Sequence, residues 1–249
     1  MSYVANWCKS YILILRWQAL KAKELFPLFV VMYLFTGVGM AVGLSYMYPQ
    51  IDEESAMFLA TGGSTMTLIV LGLILVPQAV ANTKSNGHYD YMFSLPIPRM
   101  AFLGADLTIW VFAVLPGVIS ALAYGAWRFE YEYQLSWLVV PAFLIVVLTA
   151  TGIGYAIAHL LPTAELVMLL TNFLIFCLFL FSPVNFPVER LPEWLAELHQ
   201  YLPIMHAANV VRGTLVKNYQ TDLWHNFAVL GIWCLIGFSF TYWAMSRRR

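Results

Sequence analysis

The chain has 249 residues, 61% hydrophobic and only 10% charged, with no formal net charge at neutral pH. Soluble domains carry about 25% charged residues, and a mean hydropathy of +0.74 excludes a water-soluble globule, so the chain belongs in a bilayer. The three cysteines, Cys8, Cys177 and Cys234, are far apart, and the last two lie inside apolar runs, which gives neither a disulfide framework nor a metal spacing.

Residues 3–24, YVANWCKSYILILRWQALKAKE, are too charged to cross a membrane, and they lack the compact core and cleavage site of a leader peptide. Trp7, Tyr11, Ile14 and Leu15 recur at helical spacing among Lys9, Arg16, Lys21 and Lys23. That pattern predicts an amphipathic helix lying in the inner interface, against the alternative of a frayed tail. Six stretches then offer the apolar length that a span requires, at about 25–48, 56–81, 101–127, 137–161, 166–181 and 223–245. The prediction is one all-α transmembrane domain over residues 1–249.

Lys and Arg set the orientation. With both termini in the cytoplasm, nine of the thirteen basic residues fall inside: Lys9, Arg16, Lys21, Lys23, Lys84, Arg99, Arg247, Arg248 and Arg249. Arg128, Arg190, Arg212 and Lys217 fall outside. A multi-pass protein of the cell membrane, in contact with its lipids and with no nucleic-acid partner, is the expectation.

The inner loop after the second span, residues 82–100, carries the Asn86-Gly87 turn signal. The run His88-Tyr89-Asp90-Tyr91-Met92-Phe93 has room for one or two helical turns before Pro96 and Pro98. It suits docking in a groove of a partner protein, or an ordinary interfacial loop with a tyrosine belt. The longest connection runs from Ser182 to Asp222 on the outer side. Pro183 and Pro187 end the fifth helix, and Leu191-Pro192-Glu193 reads as a helix start. Trp194, Leu195, Leu198, Tyr201 and Leu202 form an apolar side, and Pro203 ends the element. Non-helical backbone cannot face lipid, so this stretch is a structured gate or cap.

Ionisable residues within spans are the first functional candidates. Asp106, Glu165, Glu24 and His159 all lie near the cytoplasmic edge, and no carboxylate relay of a coupled transporter is present. No catalytic constellation occurs either. Gly37, Gly39, Gly43, Gly152 and Gly154 permit close helix packing. Thr163, Thr171 and Asn172 suit either a polar path or interhelical hydrogen bonds. The chain also lacks a G-x-x-x-x-G-K-[ST] loop, so it either works passively or takes energy from another subunit.

Two stretches carry a resemblance. FSPVNFPVERLPEWLAELHQYLPIMHAANVVRGTL, with Ser182, Pro187, Leu191, Pro192, Trp194, Pro203 and Arg212, and HYDYMFSLPIPRMAFLGADL, with Phe93, Pro96, Ile97, Pro98, Arg99 and Gly104, are similar to the signature segments of the membrane-spanning subunit of type-2 ATP-binding-cassette (ABC) exporters. The similarity extends over essentially the whole chain. It implies a connecting helix at residues 3–24. It also implies a coupling helix that seats on an ABC ATPase through His88, Tyr89, Asp90, Tyr91, Met92, Phe93 and Arg99. Re-entrant outer helices at 184–206 would cap the path through Pro187, Leu191, Pro192, Trp194 and Pro203. Thr171, Asn172, Phe173 and Phe176 would line that path. One departure is Asn82-Thr83-Lys84, where relatives often have a Glu ahead of the coupling segment. The resemblance further implies a second permease subunit, identical or not, and no cofactor in this chain, with ATP and Mg in the partner ATPase. A hydrophobic or amphipathic cargo is expected, such as a lipid-linked compound, a peptide or a drug. The competing readings are a membrane assembly or regulatory protein without transport, and a secondary transporter.

Overall fold

The computed structural model describes residues 3–46, 51–87, 91–92, 94–95, 97–217 and 219–247. Among them the chain is helical, without strands. The helices are α1 (Tyr3–Ser45), α2 (Glu53–Ser85), α3 (Arg99–Phe129), α4 (Val139–Leu160), α5 (Ala164–Phe181), α6 (Glu193–His199), α7 (Pro203–Leu215) and α8 (Leu223–Arg247). A 3-10 turn, Val188–Arg190, precedes α6. Six segments are long and apolar enough to cross a membrane: Pro27–Ser45 of α1, all of α2 to α5, and Leu223–Ser246 of α8.

Local chemistry sets the helix ends. Asp52 caps α2, its carboxylate accepting from Ser55 N at 3.1 Å, with Glu53 and Glu54 in the first turn where the helix dipole favours acids. The hydrogen bond with Ser55 holds the Asp52 carboxyl below its usual range. At the other end Gly87 adopts φ +71°, the left-handed geometry that closes a helix, and its N–H donates to the Lys84 carbonyl. Thr163 caps α5 through Leu166 N, with Glu165 in the first turn. Pro203 occupies the first turn of α7, where its missing N–H costs nothing.

The segments read separately as a connecting helix and a first span form one helix. Its first third packs along the start of α3: Ile14 is buried with Ala101 and Ala105, and Tyr11 shares a hydrogen bond with Thr108 Oγ1 at 2.8 Å. That contact supplies a burial partner for Tyr11 and Ile14, and Pro27 lies within the helix without ending it.

α2 is the axis of the bundle. It lies between the pair α1 and α3 and the pair α4 and α8, with α5 against the half that ends at Ser85 and α7 against the half that begins at Glu53. Its most apolar window is 94% buried within the chain. Midway, Leu71–Leu75 form a π turn, two residues ahead of Pro77. Proline clashes with the carbonyl four residues earlier in a regular α-helix, and the wider turn relieves that crowding. Gly72, in this turn, meets α4 backbone to backbone: a Cβ on Gly154 would strike the Gly72 carbonyl, and one on Gly72 would strike Ala150. Of the other glycines expected at helix contacts, Gly37 packs against Gly117 and Ala121 and Gly152 against Phe238. Gly43 faces open space, and Gly39 meets only its own neighbour Phe35.

Candidate functional site

Two regions at opposite ends of α2 hold the candidate residues. At the end where α2 begins, in the segment expected to form a cap, α5 stops at Phe181 and the chain turns inward, burying Ser182, Val184 and Asn185. It surfaces through Pro187 and the 3-10 turn, enters α6 after Leu191 and the N-cap Pro192, and turns again into α7. α7 was read from sequence as part of a connection. It is instead a 13-residue helix inserted among α2, α4 and α8. Pro203, His206, Ala207, Ala208, Val210, Val211, Arg212, Thr214 and Leu215 are buried, so the helix is enclosed on nearly all sides. Its last carbonyls are capped from the α3–α4 loop: Gln134 N donates to Leu215 O and Ser136 N to Thr214 O, each at 2.9 Å.

The apolar side expected of α6 is divided. Leu195 turns inward, whereas Trp194, Leu198 and Tyr201 are exposed, the placement of side chains meeting a membrane interface. His199 Nε2 donates to the Phe181 carbonyl at 2.8 Å, closing the end of α5. Burial pulls the His199 pKa down, and its Nδ1 is buried without a hydrogen-bond partner.

Arg212, counted from sequence as an outer loop charge, is 1% exposed and fills the junction of cap and α2. Its Nη2 donates to Val184 O at 2.7 Å and its Nε to Thr61 Oγ1 at 3.2 Å. Thr61 gives its own proton to Met57 O, which leaves a lone pair for the guanidinium. Nη1 reaches Tyr219 Oη at 3.4 Å, and Tyr219 passes its proton to Asn209 Oδ1. The guanidinium lies over the Phe58 ring, 4.0 Å from its centroid, and 5.5 Å from that of Tyr219. Among the described residues no carboxylate bonds it. Burial works against its charge, and Tyr219 offsets part of that cost. Carbonyl, hydroxyl and ring faces together hold the cation, each such hydrogen bond contributing about 1.5–3 kcal/mol and a desolvated ring about 2 kcal/mol. Beside it, Asn185 lies against Gly62, where any Cβ would strike its Oδ1. Sequence reasoning missed Phe58, Thr61, Gly62 and Asn185 as partners of the cap.

At the loop end, His88, Tyr89, Asp90 and Phe93 lie outside the described residues. Tyr91 is helical and exposed, and its N–H donates to Gly87 O; Met92 is half-buried. Arg99 donates from Nη1 to Met245 O at 2.6 Å, placing a cation at the C-terminal turn of α8. Next to this end Asp106 Oδ2 accepts from Tyr155 Oη of α4 and from Trp110 Nε1 at 3.2 Å. Lys84 Nζ donates to Ala158 O at 2.6 Å. A polar pocket of about 150 Å³ opens beside Lys84, between the end of α2 and Pro162–Val167.

The residues expected along a path divide as well. Thr171 is fully buried, accepts from Gln78 Nε2 at 2.8 Å and so faces α2. Asn172, Phe173 and Phe176 are on the opposite, exposed face of α5, with Leu166, Leu169 and Leu180.

Six helices long and apolar enough to cross a membrane, with a helix pair between the fifth and the sixth, define a multi-pass membrane protein. The model of the ABC-2 type transporter family matches residues 10–216, and the chain belongs to that family. The chain is similar to the "Probable multidrug ABC transporter permease YbhR" of Escherichia coli (strain K12), 25% identical over 190 residues, 73% of this chain and 50% of that protein. It therefore spans about half the length of that relative. It is also similar to "Nodulation protein J" of Rhizobium leguminosarum bv. viciae, 22% identical over 254 residues, covering 100% of this chain and 95% of the other.

Proposed function

We propose that this chain is the permease subunit of an ABC exporter, providing the route for a hydrophobic or amphipathic substrate while a separate ATPase supplies the energy from the cytoplasmic side. The observation that carries the reading is the span of α2. One helix holds Phe58, Thr61 and Gly62 against the cap and ends at Ser85, where the loop of His88 to Phe93 begins.

In this reading ATP binding moves the two coupling loops of a permease dimer, and α2 carries the movement to Arg212 and the cap. A differential contact of the loop with the ATPase in its two states is required, because only unequal affinities shift an equilibrium. The exposed face of α5, with Asn172, Phe173 and Phe176, meets the second subunit or the cargo. The relative described as a probable multidrug permease supports a drug among the candidate cargoes, and the scarcity of ionisable groups in the spans supports a lipophilic one.

The test begins with purification from native membranes and identification of the bound subunits, with an ABC ATPase expected. Joint replacement of Tyr89, Asp90 and Tyr91 is then expected to abolish the ATPase response to the permease. Unchanged coupling in a correctly assembled complex would remove the loop from the mechanism, and purification without any ATPase would favour an assembly protein.

A further inference from the structure

Lys84 stands one residue from the end of α2 and Arg99 opens α3, so two cations flank the loop of residues 86–98. Both reach across to other helices. Lys84 Nζ donates to Ala158 O of α4 and Arg99 Nη1 to Met245 O of α8, each at 2.6 Å. Ala158 and Met245 lie in the last turns of their helices. The last four carbonyls of a helix find no partner within it, and the dipole favours a cation at that end. Hydrogen bonds from a charged donor are about twice as strong as neutral ones. α4 and α8 are themselves joined. Thr149 Oγ1 donates to Leu230 O at 3.0 Å, and Gly152 meets Gly237 backbone to backbone, a Cβ on Gly237 standing only 2.6 Å from the Gly152 carbonyl carbon. No side chain lies between them to yield, so the two helices shift as one body. In its first half α8 also holds the cap: Trp233 Nε1 donates to Tyr201 O between α6 and α7 at 3.0 Å, and Asn226 Oδ1 lies 2.7 Å from His206 Nδ1 of α7.

We infer that Lys84 and Arg99 are positioning residues that latch both ends of the loop onto the α4–α8 pair, so that movement of the loop reaches the cap through α8 as well as through α2. The inference rests on the coupling role proposed for the loop and names the side chains that pass its movement on. The two ends of the loop cannot leave α4 and α8 without breaking two charge-assisted bonds, and the pair therefore follows them. α2 is interrupted by its π turn, whereas α4 and α8 are regular α-helices over their whole lengths. The latches thus give the loop a second, unbroken lever toward the cap. Arg99, expected from the resemblance to seat on an ATPase, has in this arrangement a partner within its own chain.

The experiment uses the permease–ATPase complex purified from native membranes and placed in lipid nanodiscs. The chain has Cys8, Cys177 and Cys234 replaced and carries Ala207→Cys, a buried position on α7. The rate at which a water-soluble maleimide labels that cysteine is read with and without magnesium and a non-hydrolysable ATP analogue. With both latches present, nucleotide is expected to change the rate. Lys84→Met combined with Arg99→Met is expected to lose that change while the ATPase stays bound. Lys84→Arg combined with Arg99→Lys keeps the charges and donors and is expected to recover part of it. If the double methionine variant does not assemble, each single replacement is read in the same way and is expected to diminish the response. A response as large as wild type in the methionine variants would overturn the latches and leave the coupling role of the loop standing. A conservative pair no better than the methionine pair would overturn them too. A wild-type chain that binds no ATPase, or binds it without any nucleotide response, would overturn the coupling role and the latches together.

Discussion

Arg212 Nη2 donates to the carbonyl oxygen of Val184 across 2.7 Å, joining two segments 28 residues apart inside the cap. Through Nε the same guanidinium holds Thr61 on the central helix. Arg212→Leu leaves a buried carbonyl and hydroxyl without their donor, an expected loss of about 1–3 kcal/mol for each orphaned group. Arg212→Lys keeps the charge but loses the planar fork and the stacking on Phe58, and is expected to recover only part of the stability. Thermal unfolding of the detergent-solubilised chain, followed by tryptophan fluorescence, checks both. Wild-type stability in Arg212→Leu would remove the arginine from the frame of the cap.

A second expectation concerns the contact of α2 with α4. Gly154→Val drives a side chain into the Gly72 carbonyl, and overpacking of this kind costs about 1–3 kcal/mol. Gly43→Ala meets nothing within 4 Å and is expected to be silent. The same unfolding measurement, made on both variants, reads the contrast.

Asp106 and Tyr155 are expected to act as a unit. Tyr155→Phe and Asp106→Asn each weaken one bond between α3 and α4, and the double variant is expected to cost less than the two together. Directly bonded pairs couple by about 0.5–3 kcal/mol. Strict additivity in a double-mutant cycle would show that the pair does not interact in solution.

His199 gives the cap an acid limit. Burial depresses its pKa in the folded chain, so the folded state binds fewer protons there than the unfolded one. Its contribution is complete above the unfolded value of about 6.5 and is lost as the pH falls from there toward the lower folded value. Stability measured from neutral to acidic pH is expected to fall less in His199→Gln than in the wild type. An identical acid profile in the two would exclude His199 as its source.

Six spans were legible because apolar length alone requires them, and Asn86-Gly87 marked the end of α2, whereas the caps at Asp52 and Thr163 were seen only in the structure. The continuity of α1 was not legible, since Lys9 to Lys23 mark a helix that cannot cross lipid and say nothing of its packing along α3. α7 escaped for a related reason. Pro203 reads in the sequence as the end of the preceding element, although a proline equally suits the first turn of a new helix. Burial of an arginine by a carbonyl, a threonine and two rings from three separate segments is a tertiary fact with no local signature. The same holds for Thr171, whose hydroxyl turns toward Gln78 while its neighbour Asn172 faces outward.

The π turn at Leu71–Leu75 fixes how many residues separate the partners of Arg212 from the loop at the other end of α2. Such a turn takes up one residue more than a regular α-helical turn, so deleting one residue within Leu71–Leu75 lets the helix wind regularly with both halves close to their present faces. The same deletion in a regular stretch of α2 swings one half of the rod by about 100° against the other, and Thr61 and Phe58 then no longer address the arginine while Gln78 and Lys84 keep their neighbours. An in-frame deletion of one residue is thus expected to be far less damaging inside the π turn than elsewhere in this helix.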